Sequence, residues 1–246
     1  MKKIIAVMAA LAVSSLSAFA LDITVGGRGN FNMGLGTSLE GIAKTQMETA
    51  KRNTENYGGS WKEGGNMGGG FAVYANFGLL DLGGGSLGIQ PEAGINFNNG
   101  WNAEVKVPIL ADADFIFKYN SVDIPVLVTY TFPVMDALSI GGGVGPYLSI
   151  PFGMDRITKD NTSGDVDKDS DDYNIKASMN FGLAFDVNGA YKVGPGSIVL
   201  DVRYMLDLTK GKITSTRKSD GATSYTDREF LTRRALTIGL GYQMKF

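Results

Sequence analysis

The chain has no cysteine and no histidine among its 246 residues. The first absence excludes a disulfide framework, a thiolate nucleophile and a lipid-carrying N-terminal cysteine. The second removes the commonest general base and most nucleophile–base pairs, so hydrolases built on them are closed to this sequence. An enzyme is not expected, and neither is a cofactor or a resident metal. Long hydrophobic runs are scarce too. After residue 20 no stretch approaches the ~18 apolar residues that a spanning helix needs. Charge of one sign is also missing, since 23 Lys and Arg against 25 Asp and Glu leave a formal net charge of −2. Without a basic stripe, nucleic acid is excluded as a partner. Glycine runs the other way, at 34 residues; that is roughly twice average usage. It follows no collagen period, so its use lies inside the structural elements.

At the start of the chain Lys2 and Lys3 precede an apolar run over 4–13, and Ala18-Phe19-Ala20 supplies small residues at the spacing of a cleavage site. This is the pattern of a secretory signal peptide over 1–20, and it predicts one mature domain over 21–246.

Within that domain polarity alternates with a period of two, most cleanly over 235–246. Leu236, Ile238, Leu240, Tyr242, Met244 and Phe246 share one face, and Ala235, Thr237, Gly239, Gly241, Gln243 and Lys245 the other. That is a β-strand with one greasy face, long enough for the ~9–11 residues that cross a bilayer. Seven further segments repeat the pattern, over 22–34, 70–80, 87–98, 121–132, 138–150, 177–191 and 198–208. Short connections at 81–86, 133–137 and 192–197 alternate with long ones at 35–69, 99–120, 151–176 and 209–234. An up-and-down membrane barrel has this alternation, with the long loops outside. A water-soluble barrel would also alternate, but its outward polar face would be about a quarter to a third charged. Here the polar faces are mostly Gly, Ser, Asn and Thr with one or two charges per strand, which suits a narrow interior. The predicted fold is all-β, an eight-stranded antiparallel up-and-down transmembrane β-barrel in a bacterial outer membrane, with lipid against its wall.

Phe77, Tyr130, Phe132, Tyr191 and Phe246 read as one interfacial aromatic girdle, and Phe31, Phe71, Phe97 and Trp101 as the other. Around the fourth strand Phe115, Phe117 and Tyr119 fall in one phase and Val122 onward in the other, which implies a bulge near Asn120 and Ser121. Asn99-Gly100 is a hairpin signal. Ten strands therefore stand beside eight as a strand count.

The runs SVDIPVLVTY at 121–130 and GVGPYLSI at 143–150, set between a leader and a terminal Phe, resemble the small outer-membrane β-barrel domain family that includes porT-like proteins. The resemblance implies an eight-stranded outer-membrane barrel and brings no shared catalytic residues with it. Phe246, with Tyr242 and Met244 on its face, resembles the C-terminal assembly signal of such proteins. That makes the barrel assembly machinery an expected partner.

Seven charges fall on the inward phase: Arg28, Glu92, Asp123, Asp186, Asp201, Arg203 and Asp207. In a barrel just wide enough to be filled by side chains they predict a structural plug of ion pairs. Asp201 and Asp207 are six residues apart on one strand, roughly 20 Å at ~3.3 Å per residue, so they cannot share one substrate atom. The acidic run over 165–172 fails as an EF-hand, because Asp172 stands where Gly is needed and Ser178 where a bidentate Glu is needed. In the first long loop Thr37 and Glu40 form a capping box, and Leu39, Ile42, Ala43, Met47 and Ala50 follow at helical spacing up to Tyr57-Gly58-Gly59. A short amphipathic helix over the barrel mouth is predicted there. Loop 151–176 carries seven acids against four bases and loop 209–234 seven bases against three acids, which predicts a loose, salt-sensitive association between them. The functional expectation is a surface-presenting barrel whose outer loops meet a surface ligand or host molecule; the alternative is a narrow conduit for small or hydrophobic molecules.

Overall fold

Tight turns with fixed chemistry set the register of the fold. In a computed structural model that describes residues 22–35, 39–108, 111–224 and 229–246, eight strands close into a ring. They are β1 (Asp22–Gly34), β2 (Met67–Leu82), β3 (Gly85–Val107), β4 (Ala111–Met135), β5 (Leu138–Asp160), β6 (Asn180–Val193), β7 (Gly196–Asp207) and β8 (Arg234–Lys245). Each pairs antiparallel with the next, and β8 returns to β1 with Thr24 opposite Lys245 and Gly34 opposite Ala235. Closure leaves the wall without an unpaired edge, as a bilayer demands. The short connections tighten to two residues. Gly83 and Gly84 both adopt positive φ, 58° and 85°, the backbone that a two-residue hairpin of this twist requires.

The long connections are mostly not loops. Strands β3, β4 and β5 run for 23, 25 and 23 residues, roughly 76–83 Å at ~3.3 Å per residue, so each continues well past the bilayer. Their far ends carry Ser60–Gly65 against β3, Val166–Lys168 against β5, and a second sheet built from Gly211–Arg217, Tyr173–Ala177, Thr223–Ser224, Glu229–Leu231 and Leu39–Gly41. The ten-strand alternative is therefore wrong. Asn99-Gly100 is no hairpin but the end of a bulge in β3, where Asn98 has φ 58° and the register against β4 shifts between Asn96 and Asn99. A second shift opposes Lys118 and Asn120, at Gly153 of β5.

Strand β4 shows why the phase argument misplaced the bulge. Phe117 and Tyr119 are buried on the same inward phase as Ser121, Asp123 and Thr129, so β4 keeps its phase throughout. What changes is the solvent. Facing lipid, a strand points apolar side chains outward, as Val126, Val128 and Tyr130 do; above the bilayer the same barrel points them inward. The inward set there is a dry core of Trp101, Ala103, Phe117, Tyr119, Met154, Ile175, Ile213 and Leu231. Trp101, 3% exposed, thus belongs to this dome and not to an aromatic girdle. Phe77, 2% exposed, presents no ring to lipid either. Phe31, Phe71, Phe97, Tyr130, Phe132, Tyr191 and Phe246 are exposed.

The predicted helix is α1 (Ile42–Asn56). Met47 packs on the dome core, and the helix stops where Gly58 takes φ 70° and the Gly59 amide donates to the Thr54 carbonyl at 2.9 Å. Glu40 lies in the preceding strand, and Thr37, its expected capping partner, lies outside the described residues, as does the leader. The two oppositely charged loops do meet, but as a five-residue antiparallel ladder, Tyr173–Ala177 on 213–217, with Ile175 and Ile213 buried beneath it. The expected loose closure is corrected to folded structure.

Candidate functional site

The interior of the barrel is the place where charged side chains converge. Inward positions on neighbouring strands share a face, and β1, β3, β6 and β7 bring Arg28, Glu92, Asp186, Asp201 and Arg203 to one level. Arg28 donates through Nη2 to Glu92 Oε1 at 2.5 Å and reaches Asp201 Oδ1 through Nε at 3.5 Å. Arg203 donates to the same Glu92 oxygen at 2.8 Å and to Asp186 at 3.1 Å. Glu92 is thus clamped between two guanidiniums, and all five side chains are buried. The layer counts two cations against three carboxylates.

Asp123 stands apart from that layer. Its Oδ2 accepts from Arg233 Nη1 at 2.8 Å, from Asn96 Nδ2 at 2.5 Å and from Ser121 Oγ at 3.2 Å. Asn32 extends the chain by donating to Asn96 at 2.8 Å. Asp207 is separate again, accepting from the Tyr147 hydroxyl and from Asn180 Nδ2. The seven inward charges therefore form one five-member cluster and two satellites.

Arg233 is the residue that sequence reasoning missed. Counted among loop cations, it instead enters the lumen, stacks 5.2 Å over the Tyr147 ring and receives the Asp207 amide on its own carbonyl at 2.9 Å. The signal was available. Arg233, Ala235 and Thr237 share the inward phase of β8 and are all buried, so running the alternation back two residues would have found it. With Leu127, Tyr147, Ala184 and Met205 packed beside this level, described side chains fill the outer half of the lumen, and the dome core lies over it. Toward the short turns the lumen instead widens into a polar chamber of about 520 Å³.

Glycine makes the close packing possible. Gly239 lies under the Asp201 carboxylate and 2.9 Å, measured from where a Cβ would sit, from Arg28 Cδ, so only glycine lets β8 pass behind the charged layer. Outside the bilayer the acidic run over 165–172 is split between Val166–Lys168 and the short helix Asp169–Asp172. Among the described residues no three carboxylates converge on a metal-sized site.

On the outward face Tyr242, Met244 and Phe246 are exposed. The Phe246 amide donates to the Ile23 carbonyl at 2.7 Å and Lys245 pairs with Asp22 at 2.8 Å, which fastens the last residues to β1.

No protein-family model and no curated protein matches the chain. Among solved structures it is similar to the outer membrane protein OprG from Pseudomonas aeruginosa, with 15% identity over 92% of this chain and 96% of that one and a TM-score of 0.51. It also matches a major outer membrane protein from Thermus thermophilus (16% identity, 90% and 99% covered, TM-score 0.46) and the outer membrane protease OmpT from Escherichia coli (9%, 92% and 95%, TM-score 0.47). The likeness to OprG shows the fold, an outer-membrane-type β-barrel, and at that identity nothing finer.

Proposed function

We propose that the protein is a non-catalytic bacterial outer-membrane barrel whose wall anchors a rigid extracellular dome, and that the dome is the part that meets a surface ligand or host molecule. The observation that carries this reading is the dry core above the charged layer, formed by Trp101, Phe117, Tyr119, Met154, Ile175, Ile213 and Leu231. Mobile loops have no such core, and a conduit has no use for one. Outer-membrane placement draws support from the exposed apolar band, with Val73 at 61% and Val187 at 68% exposure, since a face of that kind is covered only by lipid or a partner. On this reading the charged layer and its satellites, Asp123 and Asp207, are a structural plug that holds the wall in register. Tyr242, Met244 and Phe246 serve as the signal read by the barrel assembly machinery.

Conductance of the purified barrel in a planar bilayer tests the plug against a conduit. The expected result is no resolved single-channel steps in molar potassium chloride. Steady open steps would overturn the plug and favour passage through the lumen.

A further inference from the structure

Between the charged layer and the short turns, the lumen chamber of about 520 Å³ has walls of Thr24, Asn76, Thr129, Ser139 and Ser197 and reaches the rim at Asp22, Lys192 and Lys245. Its floor is Arg28, Asp186 and Asp201. We propose that this chamber is a binding site for a small aliphatic amine in its ammonium form, held at the floor by Asp201.

The unmet chemistry of Asp201 is the starting point. The residue is 2% exposed, yet neither of its carboxylate oxygens accepts a hydrogen bond, and its near cation, Arg28 Nε, stays 3.5 Å away. Arg28 is committed elsewhere, to Glu92 and to Asn30. By contrast both oxygens of Asp186 are engaged, one by Arg203 at 3.1 Å and one by Asn188 at 2.8 Å. A buried carboxylate without donors costs free energy that a bound donor recovers. The layer also has one carboxylate more than it has guanidiniums, and low-dielectric walls focus that excess charge into the chamber.

The chemistry selects the kind of cation. A calcium ion takes six to eight oxygens with several carboxylates among them, whereas no three acidic groups among the described residues converge on a metal-sized site. An ammonium group carries three donors on one positive charge. It can give a charge-assisted bond to Asp201 and use the wall hydroxyls for the rest. A chamber of about 520 Å³ has room for a short carbon chain behind the head group. Entry is from the short-turn rim, because described side chains fill the lumen beyond the charged layer.

The test uses the full folded barrel in detergent micelles at low salt and pH 7. Binding of 1,4-diaminobutane is followed by calorimetry and by amide shifts at Asp201 and Gly239, with 1,4-butanediol as the neutral analogue. The expected result is saturable diamine binding, no diol binding, and at least a tenfold loss of affinity in Asp201→Asn. Ser197→Arg, which tethers a guanidinium in the chamber wall, is expected to lose binding as well and decides the matter if Asp201→Asn does not fold. Equal binding of the diol, or undiminished binding by folded variants, overturns the site. Binding of calcium or potassium that is tighter than the diamine and depends on Asp201 overturns the ammonium assignment.

Discussion

Arg203 and Arg233 carry the interior at the scale of single residues. Among the described residues Arg203 alone bridges Glu92 and Asp186, and Arg233 alone of the lumen cations reaches Asp123. Neither guanidinium can shed its charge, and both are buried, so truncation strands a carboxylate without its partner. Breaking one side of a buried pair costs about 3–5 kcal/mol. Arg233→Met is expected to cost that full amount of unfolding free energy, read from the shift of the urea midpoint multiplied by the slope. Arg203→Met is expected to lose less, because its level adjoins the polar chamber and water can reach the orphaned acids. Equal shifts would show that the chamber does not hydrate the layer. A different residue reports on the turn after β5. The Thr162 and Ser163 amides donate to the Asp160 carboxylate at 2.7 and 3.2 Å, and these bonds hold its pKa below the ordinary aspartate value of 3.8. A depressed pKa stabilises the turn above the ordinary value, and that contribution is lost as pH falls through the depressed one. The Thr162 amide shift is therefore expected to titrate with a midpoint below 3.8. A midpoint above it would disprove the bond.

At the scale of elements the ladder between Tyr173–Ala177 and Gly211–Arg217 separates a folded dome from charged loops. Its stability comes from five residues of backbone pairing over Ile175 and Ile213, and neither source responds to salt as exposed ion pairs do. Cleavage after Arg217 by trypsin is expected to keep the same rate from low to molar salt, corrected for the protease. Ile213→Ala removes a side chain that is 0% exposed, a change that typically costs about 2–5 kcal/mol. It should speed that cleavage at least several-fold while the heat-modifiable gel mobility of the barrel stays unchanged, since local opening is governed by local packing. Loss of the folded band would mean that dome and barrel form one cooperative unit.

The whole molecule is held shut where the ends of the chain meet. Ring closure rests on the β1–β8 ladder, ending with Phe246 bonded to Ile23 and Lys245 to Asp22. Deleting Phe246 is expected to lower the yield of folded barrel in the outer membrane more than it lowers synthesis. Unchanged yield and unchanged mobility on gels would remove Phe246 from any assembly role.

The period-two pattern was enough to determine the eight strands, their antiparallel order and, Phe77 and Trp101 apart, the lipid-facing aromatic side chains, because inside a bilayer each of these follows from local alternation and turn chemistry. It also placed Arg28, Glu92, Asp186, Asp201 and Arg203 on one face. It could not say that Glu92 sits between two arginines while Asp201 is left without a donor, since those distances depend on the shear of the closed ring. Nor did it show the dome. Above Asn120 the solvent changes from lipid to water, the apolar face of the same strand turns inward, and a pattern read with one solvent in mind shows loops. Only the tertiary structure brings the far ends of β3, β4 and β5 together with α1 and the second sheet. The dry core between them therefore exists at no single stretch of sequence.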